Sequence, residues 1–113
     1  MTNLLIDINK ILFDKAMVKW TKHNCDDKAK KAKLRLVPPS ENDTVGNLNE
    51  SKLKQIEKIY FEGNSNNIDP ITLKEYILPS GNKSGYYLVI DGRHRVVKAL
   101  YHEKEKIAAK LIN

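Results

Sequence analysis

The apolar run Tyr86-Tyr87-Leu88-Val89-Ile90 passes directly into Asp91-Gly92-Arg93-His94-Arg95, and a helical apolar pattern follows at once. No other stretch of the chain restricts the fold so strongly. Consecutive apolar side chains point alternately to the two sides of a strand, so the run is expected to be a strand covered on both faces. Gly92 gives the backbone freedom for an abrupt turn where a side chain would clash. Val96, Val97, Leu100 and Tyr101 then recur at helical spacing, which predicts a helix over residues 93–102 with those four facing inward.

The chemistry of the turn follows from its position. At a helix start the first amides have no intrahelical acceptor, and the dipole adds partial positive charge there. Gly92, Arg93, His94 and Arg95 are therefore a candidate anion cradle, with two guanidinium forks and an imidazole suited to phosphate oxygens. Asp91 competes with an anion if its carboxylate caps those amides. Its alternatives are to hold Arg93 or Arg95, to bind a metal such as Mg2+ that accompanies phosphate, or to act as a base. The plain reading of the same residues is a capped and solvated helix start.

Around this unit the chain reads as one α+β domain over residues 1–113, a small mixed sheet with a hairpin packed against two to three helices. Residues 3–8 alternate as a first strand, and Ile11, Leu12 and Phe13 continue the apolar signal. Phe13, Ala16, Met17 and Trp20 share a helical face, so a short helix is expected from Asp14 to about Lys22. Residues 23–33 show no apolar period and read as an exposed basic loop or frayed helix extension. Residues 34–37 are a short strand stopped by Pro38-Pro39, and residues 40–49 a polar loop. A helix capped by Asn49 follows, with Leu53, Ile56 and Tyr60 in a stripe, Ile59 alongside, and Gly63 as its stop. After a linker over residues 64–70, residues 71–78 form the partner strand of the hairpin, turned through residues 79–85, and residues 106–112 a last strand.

Lysine and arginine number 20 against 14 acidic residues in 113, a net charge of +6 that favours polyanionic partners. Lys28, Lys30, Lys31 and Lys33 are the candidates to track a nucleic-acid backbone, weighed equally against a solvated face. No apolar run approaches the roughly 18 residues that span a bilayer, so no membrane association and a cytoplasmic location are expected. Cys25, the sole cysteine, is flanked by Asp26 and Asp27, which disfavour a thiolate, and reads as a tolerated small side chain. His23 and His102 stand without metal-ligand spacing and are expected to be structural, His102 complementing a helix C-terminus. Glu57, Glu62 and Glu75 are candidate catalytic carboxylates among which the sequence does not choose. Tyr60, Phe61, Tyr86, Tyr87 and Tyr101 are read as packing residues before base-stacking ones.

The order from Asp69-Pro70-Ile71 through Leu88-Val89-Ile90-Asp91-Gly92-Arg93-His94-Arg95 to Ala99-Leu100 resembles the ParB/sulfiredoxin-like superfamily. In that family a "QPI"-like segment opens a strand, and a hairpin leads to a "GERR" or "DGxHR" turn before a helix and last strand. Ile6-Asp7-Ile8-Asn9-Lys10-Ile11 is similar to the family's opening strand. The resemblance covers residues 48–113 and 3–12, leaving 13–47 as a variable basic insertion. It implies that Gly92, Arg93, His94 and Arg95 contact nucleotide or nucleic-acid phosphates and that Asp69 lies near the nucleotide, with ATP or CTP as candidates. Sulfiredoxins place their reactive cysteine just before the His-Arg pair, where this chain has Arg93, so sulfinic acid reduction is not expected. No helix-turn-helix follows the domain before Asn113, so centromere binding is not expected either.

Two functions emerge as expectations. The first is an enzyme acting on nucleic acid or nucleotide, a nuclease or nucleotide hydrolase, with a toxin module as one form of it, since standalone domains resembling this family include nucleases, toxin modules and small kinases. In it His94 shuttles a proton, Arg93 and Arg95 stabilise charge on phosphate, and Asp91 binds metal or serves as base. The second is a non-catalytic nucleotide- or DNA-binding regulator of a plasmid or phage system. Either form leaves room for a cognate protein partner, immunity or regulatory in kind.

Overall fold

The computed structural model describes residues 4–38, 46–62 and 69–112. Strands β4 (Ile71–Ile77) and β5 (Lys83–Asp91) form the expected antiparallel hairpin. Its turn is closed by Leu78 N–H donating to Asn82 O and Gly81 N–H to Leu78 O, both at 2.8 Å, with Gly81 at φ +90°. Helix α3 (Arg93–Tyr101) leaves the end of β5 after one residue, and β6 (Lys106–Ile112) returns parallel to β4. Strand β1 (Leu4–Asp7) pairs antiparallel with β6, giving a curled four-stranded sheet in the order β1-β6-β4-β5. The fold is therefore α+β with a mixed sheet, as the sequence pattern predicts.

The curl brings the two edges of that sheet toward each other. After β1 the chain makes a 3-10 turn at Ile8–Lys10, tied to the approach to β6 by Ile8 N–H donating to Glu105 O at 2.9 Å. Ile11 then bridges in parallel to Tyr87 on the opposite edge, and β2 (Leu12–Phe13) pairs in parallel with β3 (Arg35–Leu36). The apolar signal expected to run on from the first strand thus serves two edges of the sheet. One consequence is a correction for β5. It is not covered on both faces: residues 86–89 are half-buried and Ile90 is 50 % exposed. Among the described residues the outer side of β5 is bordered by the 3-10 turn, Ile11 and the short β2 segment, while Tyr87 and Val89 pack on the core.

Helix α1 (Lys15–Ala32) runs past Lys22 through the segment read as an exposed basic loop or a frayed helix extension, and the second of those readings is the one it takes. Asp14 caps it, accepting from Met17 N–H at 2.9 Å. Met17, Thr21, Cys25 and Ala29 are its buried residues, one every fourth position, and a break at Cys25 (φ −156°, ψ 53°) divides the helix. Thr21 hides its hydroxyl by donating to Val18 O. Residues 13–38 supply Phe13, Met17, Ala29 and Val37 to the buried interior, so this part of the stretch 13–47 belongs to the fold's framework.

Helix α2 (Glu50–Ile56) starts at Asn49, whose side chain accepts from Lys52 N–H as expected, and passes into a π-helical turn at Glu57–Phe61. The wider turn shifts the face of the helix, leaving Ile59 exposed rather than in the buried stripe with Leu53. The Gly63 stop, most of the linker after it, Pro39 and residues 40–45 of the polar loop lie outside the described residues. The core is Ile11, Phe13, Met17, Ile71, Leu73, Val96, Val97 and their neighbours, between the sheet and helices α1 and α3. Tyr101 does not join it. Its ring sits at the end of α3 against Trp20, with centroids 5.9 Å apart.

Candidate functional site

Gly92 stands at φ +115°, where a side chain would come within 2.7 Å of Ile71 Cβ and closer still to its Cγ2. The start of α3 is thus pressed against the first residue of β4, a packing that glycine alone permits. Among the described residues no side chain caps α3. Asp91, free to do so in sequence, is 76 % exposed and turns its carboxylate to Arg95 Nη2 at 3.1 Å. The capping alternative is therefore replaced by the Arg95 alternative, and the first amides of α3 stay available to an acceptor.

The cationic side chains of the turn have taken on internal contacts. Arg93 donates from Nε to Asp14 Oδ2 at 2.6 Å, and from Nη2 to Asp14 Oδ1 at 3.2 Å and Gly46 O at 2.7 Å. Arg95 donates from Nη1 to the carbonyls of Asp69 and Pro70 at 3.0 and 3.2 Å, fastening the lead-in to β4. His94 Nε2 accepts the backbone N–H of Asn49 at 2.8 Å, which requires an unprotonated Nε2. Burial, then the neighbouring charges of Lys52 and Arg93, lower the His94 pKa, against a weaker opposing pull from Asp14. Asp69 accepts from Tyr60 O–H at 2.7 Å, and this bond, before burial and the charge of Asp69, raises the tyrosine's pKa.

These bonds gather three helix starts around one point. Asp14 at the head of α1 holds Arg93, Asn49 at the head of α2 holds His94, and both residues lie in the first turn of α3. Asp14 and Asn49 cap their own helices, whereas α3 has no capping side chain. Asp14, Asp69 and Asp91 stand among the two guanidinium groups, so attraction for an anion comes chiefly from amides and dipoles. Beside the turn, Leu12, Met17, Val37, Leu88 and Ile90 line a largely apolar slot of about 130 Å³ with Asp14 at its polar end.

All the residues singled out at the turn are brought together: Asp69, Asp91, Gly92, Arg93, His94 and Arg95. Among the described residues no three His, Cys, Asp or Glu side chains converge as metal ligands, so a metal at Asp91 would rely on phosphate and water for most of its coordination. The lysines are elsewhere. Lys28 bonds to Tyr101 O and lies 4.7 Å from that ring, Lys30 pairs with Asp26 at 3.0 Å, Lys31 is exposed, and Lys33 closes α1 in the left-handed conformation. They follow the break at Cys25, and Lys28 meets the far end of α3, about 12 Å at helical rise from Arg93 at its start. Cys25 is buried, and desolvation first, then Asp26, raises its thiol pKa against Lys28 and Lys98.

A second cluster was not foreseen. Lys98, set in the apolar run Val96-Val97-Lys98-Ala99-Leu100, has a side chain only 10 % exposed and an ion pair with Glu57. His102 Nε2 lies 2.7 Å from the same Glu57 oxygen, and its ring stacks on Phe61 with centroids 4.2 Å apart. Burial tends to raise the Glu57 pKa, but bonds from Lys98 and His102 outweigh it and hold the carboxyl low. Of the three glutamates considered in sequence, Glu57 is the one so engaged; Glu75 faces Lys83 at 3.8 Å and Glu62 is exposed. The available signal was the single charge inside the buried face of α3.

No family model, curated protein or solved structure matches the chain. Among the described residues no helix is long and apolar enough to cross a membrane.

Proposed function

We propose that this chain is a phosphate-binding module of ParB/sulfiredoxin-like kind, taking a nucleotide such as CTP or ATP at the start of α3. The observation that carries the reading is the uncapped α3 start, packed on Ile71 through Gly92 where the heads of α1 and α2 also meet. Phosphate oxygens accept from the amides of Arg93, His94 and Arg95, and the apolar slot beside Asp14 offers room for part of a base. Nucleic acid is the other source of the same phosphate chemistry.

Binding without turnover is the form these contacts favour. His94 has one nitrogen committed to Asn49, and both arginines hold backbone or carboxylate groups, so each acts first as a positioning residue. The exposed Asp91 carboxylate supports the second reading, a Mg2+-dependent hydrolase or nuclease. Amide NMR during titration with CTP, ATP, inorganic phosphate and short oligonucleotides tests both. Saturable shifts centred on residues 92–95 with a nucleotide, and no turnover in Mg2+, are expected. Binding confined to oligonucleotides, weakening steeply between about 50 and 200 mM salt, would assign the turn to nucleic acid instead. Nucleotide turnover or strand scission lost on Asp91→Asn would establish the enzymatic reading. No shift at these amides with any phosphate probe would end the proposal.

A further inference from the structure

Helices α1 and α2 flank a cleft of about 410 Å³ whose floor is Lys98, and it shares no lining residue with the apolar slot beside the turn. Trp20 and Leu53 give it apolar walls, and Lys54, Glu57 and Lys58 line it from α2 and the π-helical turn. A lysine ammonium has three donors. Among the described residues Lys98 has one oxygen partner, Glu57, while the rings of Tyr101 and Trp20 lie 4.7 and 5.9 Å from its Nζ. Aromatic faces attract the charge but do not replace hydrogen-bond acceptors. A side chain nine-tenths buried therefore reaches the cleft with donor capacity unfilled.

Charge along the cleft is uneven. Glu50 and Glu62 lie at its two ends, about 18 Å apart at helical rise. Lys54, Lys58 and Lys98 are set between them against Glu57 alone, and Glu57 is already bonded to Lys98 and His102. The middle of the cleft is thus positive beside an indole wall. Asn24, also on the lining, donates its amide nitrogen to the backbone carbonyl of Trp20 at 2.8 Å. A π-helical turn, a costly distortion often kept where a site needs it, places Glu57 and Lys58 at this spot.

From this arrangement we infer that the cleft binds a small planar anion, an aromatic ring bearing a carboxylate or phosphate, with the ring on Trp20 and the acid group on Lys98. The volume suits a ligand of that size. The site goes beyond the phosphate turn, and either can fail without the other.

The test uses indole-3-acetate and phenyl phosphate as anionic probes, with indole and acetate as controls, followed by Trp20 fluorescence and the Trp20 indole N–H signal. Saturable change with at least one anionic probe, and at least tenfold weaker change with indole or acetate, is expected. Lys58→Gln, on the surface, should weaken the response several-fold. Lys98→Met should abolish it, provided its amide spectrum is that of the folded protein, and Lys74→Gln on β4 should leave it intact. Preference for the carboxylate or the phosphate probe identifies the acid group. Lack of saturation with both anionic probes, an equal response to indole, or an unchanged response in Lys58→Gln would overturn the inference.

Discussion

Asp14 shows how one side chain couples distant parts of this chain. It caps α1 through Met17 N–H and also holds Arg93, 79 residues away in sequence. Asp14→Ala removes both contacts and leaves a half-buried guanidinium short of a partner. A cap is worth about 1 kcal/mol and breaking a buried pair about 3–5, less where water reaches one partner, so a loss of about 2–4 kcal/mol is expected in urea unfolding. Asp14→Asn keeps a capping oxygen and should recover about 1 kcal/mol of that; equal losses would show that the cap contributes nothing. His94 adds a pH dependence whose sign is fixed by its lowered pKa. The unfolded chain takes up a proton near about pH 6.5, but folded His94 resists it. Stability from this group is therefore complete above about 6.5 and declines as pH falls from there toward the folded pKa. A His94 ring titration centred below about 6.5 is expected by NMR, with a flatter acid limb of the stability profile in His94→Gln. A midpoint at or above that value would contradict the burial and charge argument.

Among the elements, the β5–α3 junction is the most demanding. Gly92→Ala forces an alanine to a positive φ and drives its Cβ into Ile71. Backbone strain of about 1–3 kcal/mol and overpacking of similar size predict a loss of about 2–4 kcal/mol in chemical denaturation. Pairing it with Ile71→Ala relieves the collision but not the strain, so the double variant should be less destabilised than the sum of the singles. Strict additivity would remove the contact explanation. This junction was legible because a run of apolar residues, a glycine and a helical period mark it locally. The second half of α1 was legible only as one of two readings, a loop or a helix extension. Its buried row of Thr21, Cys25 and Ala29 is only weakly apolar, and lysines occupy the surrounding positions. The π-helical turn was hidden for another reason: Leu53, Ile56 and Tyr60 suit an ordinary helix, and tertiary contacts of Glu57 and Tyr60 decide otherwise. The Asp91–Arg95 pair was within local reach, but the partners of Arg93 and Lys98 and the carbonyls held by Arg95 lie far off in sequence, beyond the reach of local pattern.

For the whole molecule, the curled sheet implies an uneven distribution of stability. Strands β4 and β6 each have a neighbour on both sides, and Ile71, Leu73 and Ala109 from them are fully buried with Val96 and Val97 of α3. Opening any of these exposes the main core, so their amides should exchange only near the global unfolding free energy. Strand β3 is two exposed residues, and α1 beyond the break at Cys25 is held, among the described residues, by Ala29, Ala32 and the Lys28 contact. Those parts bury less apolar surface per residue and should open locally first. Native-state hydrogen exchange in low denaturant separates the cases: β4, β6 and α3 should merge with global unfolding, while residues 26–32 exchange through a smaller opening. The first turn of α1 belongs with the slow group, because Asp14 ties it to Arg93. If residues 26–32 share the free energy of β4, then the break at Cys25 does not divide the helix energetically. A fast first turn of α1, by contrast, would detach one of the three helix heads from the turn and weaken the case for a rigid anion site there.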